Sequence, residues 1–129
     1  SLPFWWLSSW WKRLGRKLIT DKVSSWLTID QAADLLETSP GKVRRLIDEH
    51  FLFTYRIDNV PMIPADLIID REPLSSIHGT LVLLNDLGLN RDESIVWLYE
   101  MNAELGTEPI TALLAGHKAP VRRAAQGLG

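Results

Sequence analysis

Apolar residues recur at helical spacing through most of the chain, and the first such stretch covers residues 2 to about 23. At about 100° per residue, its apolar residues gather on one side of a helix and most of its bases fall on the other side. The apolar stripe consists of Phe4, Leu7, Trp10, Trp11, Leu14 and Leu18. The pattern therefore predicts an amphipathic, Trp-rich helix.

Two further helical stretches, joined by a short turn, follow between residues 26 and 50. Thr28, with Gln31 three residues later, forms the sequence signature of a capping box at the start of the first stretch. Ser39 is a preferred N-cap residue for the second stretch, which has Pro40 at its first position. The buried stripe of this second helix is predicted to consist of Val43, Leu46 and Ile47.

Two strand-like runs, residues 53–57 and 60–63, come next and are separated by Asp58 and Asn59. Asp and Asn tolerate the left-handed backbone that a two-residue hairpin turn requires. Pro61 predicts that the second strand lies at a sheet edge or turns that side toward solvent. Helix, tight turn, helix and hairpin together outline a winged helix-turn-helix.

The remaining residues, 73–129, are predicted to be all helical, with breaks at glycines and prolines. The predicted fold class is therefore mainly α, a winged helix-turn-helix with a small β-hairpin wing, an N-terminal amphipathic helix and a helical C-terminal domain. The predicted domains are residues 1–25, the Trp-rich basic helix; residues 26–72, the winged helix-turn-helix; and residues 73–129, the helical interaction domain.

The net charge of −2 is distributed unevenly along the chain. Residues 1–25 contain five bases and one acid, residues 26–72 contain five bases and nine acids, and residues 73–129 contain four bases and six acids. A DNA-binding domain is normally basic over a whole face. Any positive surface on this chain must therefore be local.

The Trp-rich helix admits more than one physical interpretation. Amphipathic helices usually cover a core, which predicts that the stripe docks on the rest of the domain or on a second copy of the chain. A helix rich in aromatic residues and bases can also lie in the interface of a bilayer, with Lys and Arg near anionic lipid. The sequence favours docking or self-association and leaves membrane contact and an altered terminus as alternatives.

The second helix of a helix-turn-helix reads DNA because its first turns fit the major groove, where Arg and Lys reach guanine edges or phosphates. Ser39 and the free backbone N–H groups of Gly41 and Lys42 are expected at the positive end of the helix dipole, which suits a phosphate. Lys42, Arg44 and Arg45 supply the positive charge. The predicted partner is double-stranded DNA, and the predicted function is transcriptional regulation.

This segment also resembles a known family. Residues 27–36 and 39–47, followed by Tyr55-Arg56-Ile57 and Ile63-Pro64, are similar to the excisionase or MerR-like helix-turn-helix pattern. Residues 26 to about 128 resemble the small actinobacterial winged-helix DNA-binding proteins, and the Trp-rich helix lies outside that similarity. The resemblance implies that Arg56 on the wing strand contacts an adjacent phosphate or the minor groove.

The C-terminal part resembles a second group of proteins. The string from Trp97 to Gly116, which includes Asn102, Pro109 and Leu113, looks like the C-terminal domain of Xre/ParS-type antitoxins. In those families the helical domain mediates self-association and partner binding, which implies a homodimer or a protein partner held through the C-terminal helices. A protein-interaction module with weak or vestigial DNA binding is therefore the alternative function.

Some features work against DNA binding. Arg44 and Arg45 are also explained as solvated charge on an exposed helix face, paired with Asp48 or Glu49. The same two acids repel phosphate. Affinity falls by about 0.9 log unit per phosphate contact for each tenfold rise in salt, so a monomer with few contacts is expected to bind weakly.

Enzymatic function is not expected. The chain has no cysteine, and His50, His78 and His117 are widely spaced, so no metal site is predicted. The sequence contains no P-loop, dinucleotide-binding glycine motif or nucleophile elbow. We expect no catalytic residue and no cofactor. A cytoplasmic location is expected, because cysteine is absent and no apolar run approaches the roughly 18 residues that span a bilayer.

Overall fold

Seven α-helices, five short strands and one 3-10 helix (Ala65–Leu67) make up the computed structural model, which describes residues 10–128 and the side chains of residues 13–128. The helices are α1 (Trp10–Lys22), α2 (Ile29–Leu36), α3 (Pro40–Asp48), α4 (Ser75–Asp86), α5 (Arg91–Tyr99), α6 (Pro109–Leu114) and α7 (Lys118–Gln126). The strands are β1 (Trp26–Leu27), β2 (Tyr55–Ile57), β3 (Val60–Pro64), β4 (Ile68–Ile69) and β5 (Glu72–Pro73). The predicted fold class, mainly helical with a small hairpin wing, is confirmed.

The chain divides into two compact units. One unit combines the residues up to Val23 with those from Leu83 onward, and the other contains Ser24–Val82. The division falls inside α4, and it groups α1 with the C-terminal helices. The three predicted domains, residues 1–25, 26–72 and 73–129, stay a prediction.

Helix α1 packs on α5 through its smallest residue. Gly15, Ile19 and Val23 are buried, and a Cβ atom added to Gly15 would lie 2.6 Å from Cγ2 of Val96. A separation below about 3 Å is a steric clash between carbon atoms, so the two helices approach this closely only because residue 15 has no side chain.

The predicted apolar stripe of this helix is only partly described. Phe4 and Leu7, and the side chains of Trp10 and Trp11, lie outside the described residues. Leu14 is 50% exposed and Leu18 is half-buried. Since the buried Gly15 and Ile19 each follow one of these leucines by a single position, the face packed on α5 is rotated by about 100° from the stripe.

The helix-turn-helix forms as its local sequence predicts. Thr28 Oγ1 accepts a hydrogen bond from the Gln31 backbone at 3.1 Å, and Gln31 Oε1 accepts one from the Thr28 backbone at 2.9 Å, which completes the predicted capping box. Glu37 ends α2 in the left-handed conformation, with φ of 56°. The turn then reverses the chain so that Ala33 of α2 and Val43 of α3 are both buried.

The wing is a two-residue hairpin, as predicted. Asp58 and Asn59 both have positive φ, 51° and 67°, which is the conformation of a type I′ turn. Of the two alternatives expected from Pro61, the edge strand is wrong, because β3 is the central strand of a sheet with the order β1-β3-β2, whereas the position without a strand partner on that side agrees with the pairing. Strand β1 pairs only with Ile63 and Pro64, so Pro61 lies beyond the end of β1 and its missing N–H removes no bond on that side.

A second hairpin, which the sequence analysis does not predict, follows the wing. Strands β4 and β5 pair in antiparallel register, and Asp70 and Arg71 form the turn between them with φ of 52° and 66°. The buried Leu67 anchors the chain just before β4, and its carbonyl accepts a hydrogen bond from the Leu74 N–H at 2.7 Å. This hairpin brings Arg71 next to the turn of the helix-turn-helix.

The C-terminal helices bury most of their apolar residues. In α5 every residue from Ser94 to Tyr99 is buried, and Asn90 and Glu93 form a second capping box at the start of the helix. Trp97 is 6% exposed and lies in the core. Helices α6 and α7 follow and contribute Ile110, Leu113 and Val121 to the core of this unit.

Candidate nucleic-acid interface

Helix α3 separates its apolar residues cleanly from its bases. Val43 and Ile47 are buried and Leu46 is half-buried, as the predicted stripe requires. On the other side of the helix Gly41, Lys42, Arg44 and Arg45 are all exposed. The first two turns of the helix therefore present three cations and a glycine to solvent.

The exposed bases of α3 are not held by acids of their own unit. Within residues 13–128, no ion pair involves Lys42, Arg44 or Arg45. The alternative pairing of Arg44 and Arg45 with Asp48 or Glu49 is therefore not observed. An exposed base that carries no local counterion keeps its full charge for a polyanion.

The N-terminus of α3 is capped as predicted, and this changes the expected set of phosphate donors. Ser39 Oγ accepts a hydrogen bond from the Lys42 N–H at 3.2 Å. The Lys42 backbone is therefore not free, contrary to the sequence-based expectation, because the cap uses it. Pro40 has no N–H, and the Gly41 N–H is left as the donor of the first turn. An added Cβ at Gly41 would meet only Ser39 Oγ, at 3.9 Å, so this backbone is open to approach.

Arg56 lies on the exposed side of the wing. Its Nη1 atom donates a hydrogen bond to the carbonyl of Asn59 at 3.0 Å, across the hairpin turn. The guanidinium is thereby held along the hairpin. It adds one positive charge to a turn that otherwise contains Asp58.

Arg71 is a candidate residue that the sequence analysis missed. Its Nη1 atom lies 3.2 Å from Oε1 of Glu37, in the turn between α2 and α3, and both side chains are more than half exposed. The pair neutralises a carboxylate two residues before the α3 N-cap. The two residues lie 34 positions apart in the chain, so local sequence carries no signal for this contact.

The C-terminal end of α3 is held by aromatic stacking. The His78 ring lies parallel to the Phe51 ring, with centroids 4.0 Å apart, and its Nδ1 is 3.0 Å from the Glu49 carbonyl. His78 thus has a structural position beside the end of the helix. Among the residues described, no group of three or more metal-ligating side chains comes together.

No helix of residues 10–128 combines the length and the apolar character that crossing a bilayer requires.

Comparisons with known proteins agree with this geometry. Residues 17–68 match the family described as "DNA-binding protein Rv2175c, wHTH domain", and residues 74–129 match the family described as "Rv2175c C-terminal domain of unknown function". The NMR structure of Rv2175c is similar in fold, with a TM-score of 0.74 and 24% sequence identity over 84% of this chain and 83% of that chain. A search of curated protein sequences found no match.

Proposed function

We propose that this chain, which carries the winged helix-turn-helix DNA-binding domain and the C-terminal domain of the Rv2175c family, is a transcriptional regulator that reads the major groove with α3. The observation that carries the proposal is the row of exposed cations on α3, none of which has an ionic partner among the described residues. Their side of the helix faces away from the buried Val43 and Ile47.

Each residue of the interface has a distinct role in this proposal. Arg44 and Arg45 contact guanine edges or the phosphates that flank them, since Arg forms paired hydrogen bonds with guanine. Lys42 and the Gly41 N–H hold a phosphate at the positive end of the helix dipole, beside the Ser39 hydroxyl. Arg56 contacts an adjacent phosphate from the wing. No cofactor is required, and regulation occurs by blocking or recruiting other proteins at the bound site.

Dimerisation supplies the affinity that one copy lacks. The segment of residues 26–72 has nine acids and five bases, so it attracts a duplex only through its local cations. Two copies joined through α6 and α7 place two recognition helices on two half-sites. The likeness to antitoxin C-terminal domains supports this choice of interface.

The test is to replace both central bases and compare the result with a charge-matched control. We expect R44A combined with R45A to weaken binding to the cognate duplex by at least tenfold, because each lost base contact is worth roughly 1 to 3 kcal/mol. The control is R13A combined with R91A, which removes two exposed bases outside α3 and outside the proposed dimer helices α6 and α7. A titration of labelled duplex at two salt concentrations measures both effects. Equal binding by the two double variants would refute the proposed mode of reading DNA.

The net negative charge of residues 26–72 supports a second candidate function, a protein-interaction module with weak DNA binding. On this alternative the C-terminal helices bind a second copy or another protein, and α3 contributes little. Measuring the size of the protein in solution, followed by a salt series of DNA titrations, separates the two functions. Affinity that is weak at low salt and independent of Arg44 and Arg45 favours the interaction module.

A further inference from the structure

One side of α1 is solvent-exposed among the residues whose side chains the structure describes. Gly15, Ile19 and Val23 are buried, and Gly15 lies against Val96 of α5, while Leu14 remains 50% exposed. Leu18, one turn later, is half-buried. Leu14 and Leu18 of the apolar stripe therefore lie at the border of the face that packs on α5, and that contact does not enclose them.

Bases lie directly beside these leucines. Arg13 and Lys17 are exposed, and each precedes a leucine of the stripe by one position, about 100° around the helix. Lys17 has 78% of its side chain exposed and approaches Asp21 only at 3.9 Å. An exposed ion pair with its charged atoms this far apart contributes little to the stability of the protein. Lys17 is therefore available to bind other anions.

The first residues of α1 and the sequence before them extend the same chemistry. Five of the eleven aromatic residues of the chain lie within its first eleven positions, and Lys12 follows them directly. Residues 1–25 have a net charge of +4, although the whole chain has a net charge of −2. Aromatic residues, leucines and bases in one short segment are typical of helices that lie in a membrane interface.

We propose that α1, with the aromatic segment that precedes it, binds the surface of an anionic phospholipid bilayer. Leu14 and Leu18 enter the boundary between headgroups and acyl chains, and Arg13 and Lys17 bind the lipid phosphates. Duplex DNA would satisfy the bases but leave the leucines and the aromatic residues in water, whereas a lipid surface satisfies both. The binding is peripheral and reversible, since one amphipathic segment anchors a protein weakly.

Flotation of the full chain with vesicles tests the proposal. The protein is mixed with vesicles of phosphatidylcholine and phosphatidylglycerol in equal parts, or with vesicles of phosphatidylcholine alone. We expect flotation with the anionic vesicles, release by high salt, and much weaker flotation with the zwitterionic vesicles. A blue shift of tryptophan fluorescence is expected to accompany binding. The absence of flotation with anionic vesicles would overturn the proposal.

Two variants test whether α1 is the part of the protein that binds the anionic vesicles. R13Q combined with K17Q is expected to lower partitioning onto anionic vesicles by about 25-fold, since each base near such a surface contributes a factor of about five. L14S, at an exposed position, is expected to lower it as well without unfolding the protein. The matched control is K118Q combined with R123Q, which removes two exposed bases of α7 in the same unit.

Two other results with these variants would show that the exposed side of α1 binds something other than lipid. If R13Q with K17Q weakens DNA binding and leaves flotation unchanged, the face is a nucleic-acid contact. If L14S converts a dimer to a monomer and leaves flotation unchanged, the face is an interface between copies. Both results would overturn the lipid proposal. Neither outcome depends on Arg44 and Arg45, so the failure of the proposed DNA recognition would be seen separately.

Discussion

A single missing side chain decides how α1 meets α5. The hydrogen at Gly15 occupies a position where a methyl carbon would lie 2.6 Å from a methyl group of Val96. In a helix glycine costs about 1 kcal/mol relative to alanine. The structure shows why that loss is tolerated, because the close approach of two helices requires it.

We therefore expect G15A to destabilise the protein by roughly 1 to 3 kcal/mol, despite the better helix propensity of alanine, because overpacking forces the helices apart. G15L should destabilise it further. The free energy of unfolding, measured in a urea titration, checks this. G15A combined with V96A is expected to recover part of the loss, since V96A removes the atoms that clash. If G15A were as stable as the parent protein, the close contact would not be a feature of the protein in solution.

At the scale of elements, caps and turns define where α2, α3 and the wing begin and end. Thr28 and Ser39 accept hydrogen bonds from the first turns of their helices, and Asp58 and Asn59 form the hairpin turn. These interactions join residues within four positions of each other. Each was therefore predictable from sequence, although the consequence for the Lys42 N–H was not.

Ser39 caps α3 and, on the proposed function, also lies beside a phosphate, and substitutions can separate the two roles. S39A removes the cap and is expected to lower the free energy of unfolding by about 1 kcal/mol, because the Lys42 N–H loses its acceptor. S39D keeps an acceptor at the cap and should retain the stability. On the proposed function, S39D nevertheless weakens DNA binding, because its carboxylate repels the phosphate. Urea titrations and DNA titrations of both variants check this, and tight DNA binding by S39D would argue against a phosphate at this position.

At the scale of the whole molecule, charged contacts far apart in sequence make stability depend on pH. Lys22 Nζ lies 3.1 Å from Oε2 of Glu108 and joins the end of α1 to the start of α6. The hydrogen bond from Lys22 lowers the pKa of Glu108, while burial raises the pKa of Glu100. The two carboxyl groups therefore affect stability in opposite directions.

For Glu108 the stabilisation is present above the ordinary carboxyl pKa and is lost as pH falls through the lowered pKa. E108Q is expected to be less stable than the parent protein near pH 7 and to show a smaller further loss in acid. For Glu100 the stabilisation is present below the ordinary pKa and is lost as pH rises through the raised pKa. E100Q should therefore gain stability relative to the parent near pH 7, and this gain should disappear in acid. Thermal unfolding at a series of pH values measures the stability of both variants relative to the parent protein. If the stability of E108Q changed with pH in the same way as that of the parent, the Lys22 contact would be excluded.

The sequence alone determined the helices, the caps, the wing turn and the cationic side of α3, because each depends on residues within a turn or two of one another. Only the tertiary structure decided the central place of β3, the Arg71 to Glu37 pair and the face by which α1 packs on α5. These features join segments tens of residues apart, where periodicity and propensity carry no information. The same reason left Leu14 exposed: the position of α5, and not the hydrophobicity of the stripe, selects which side of α1 is buried.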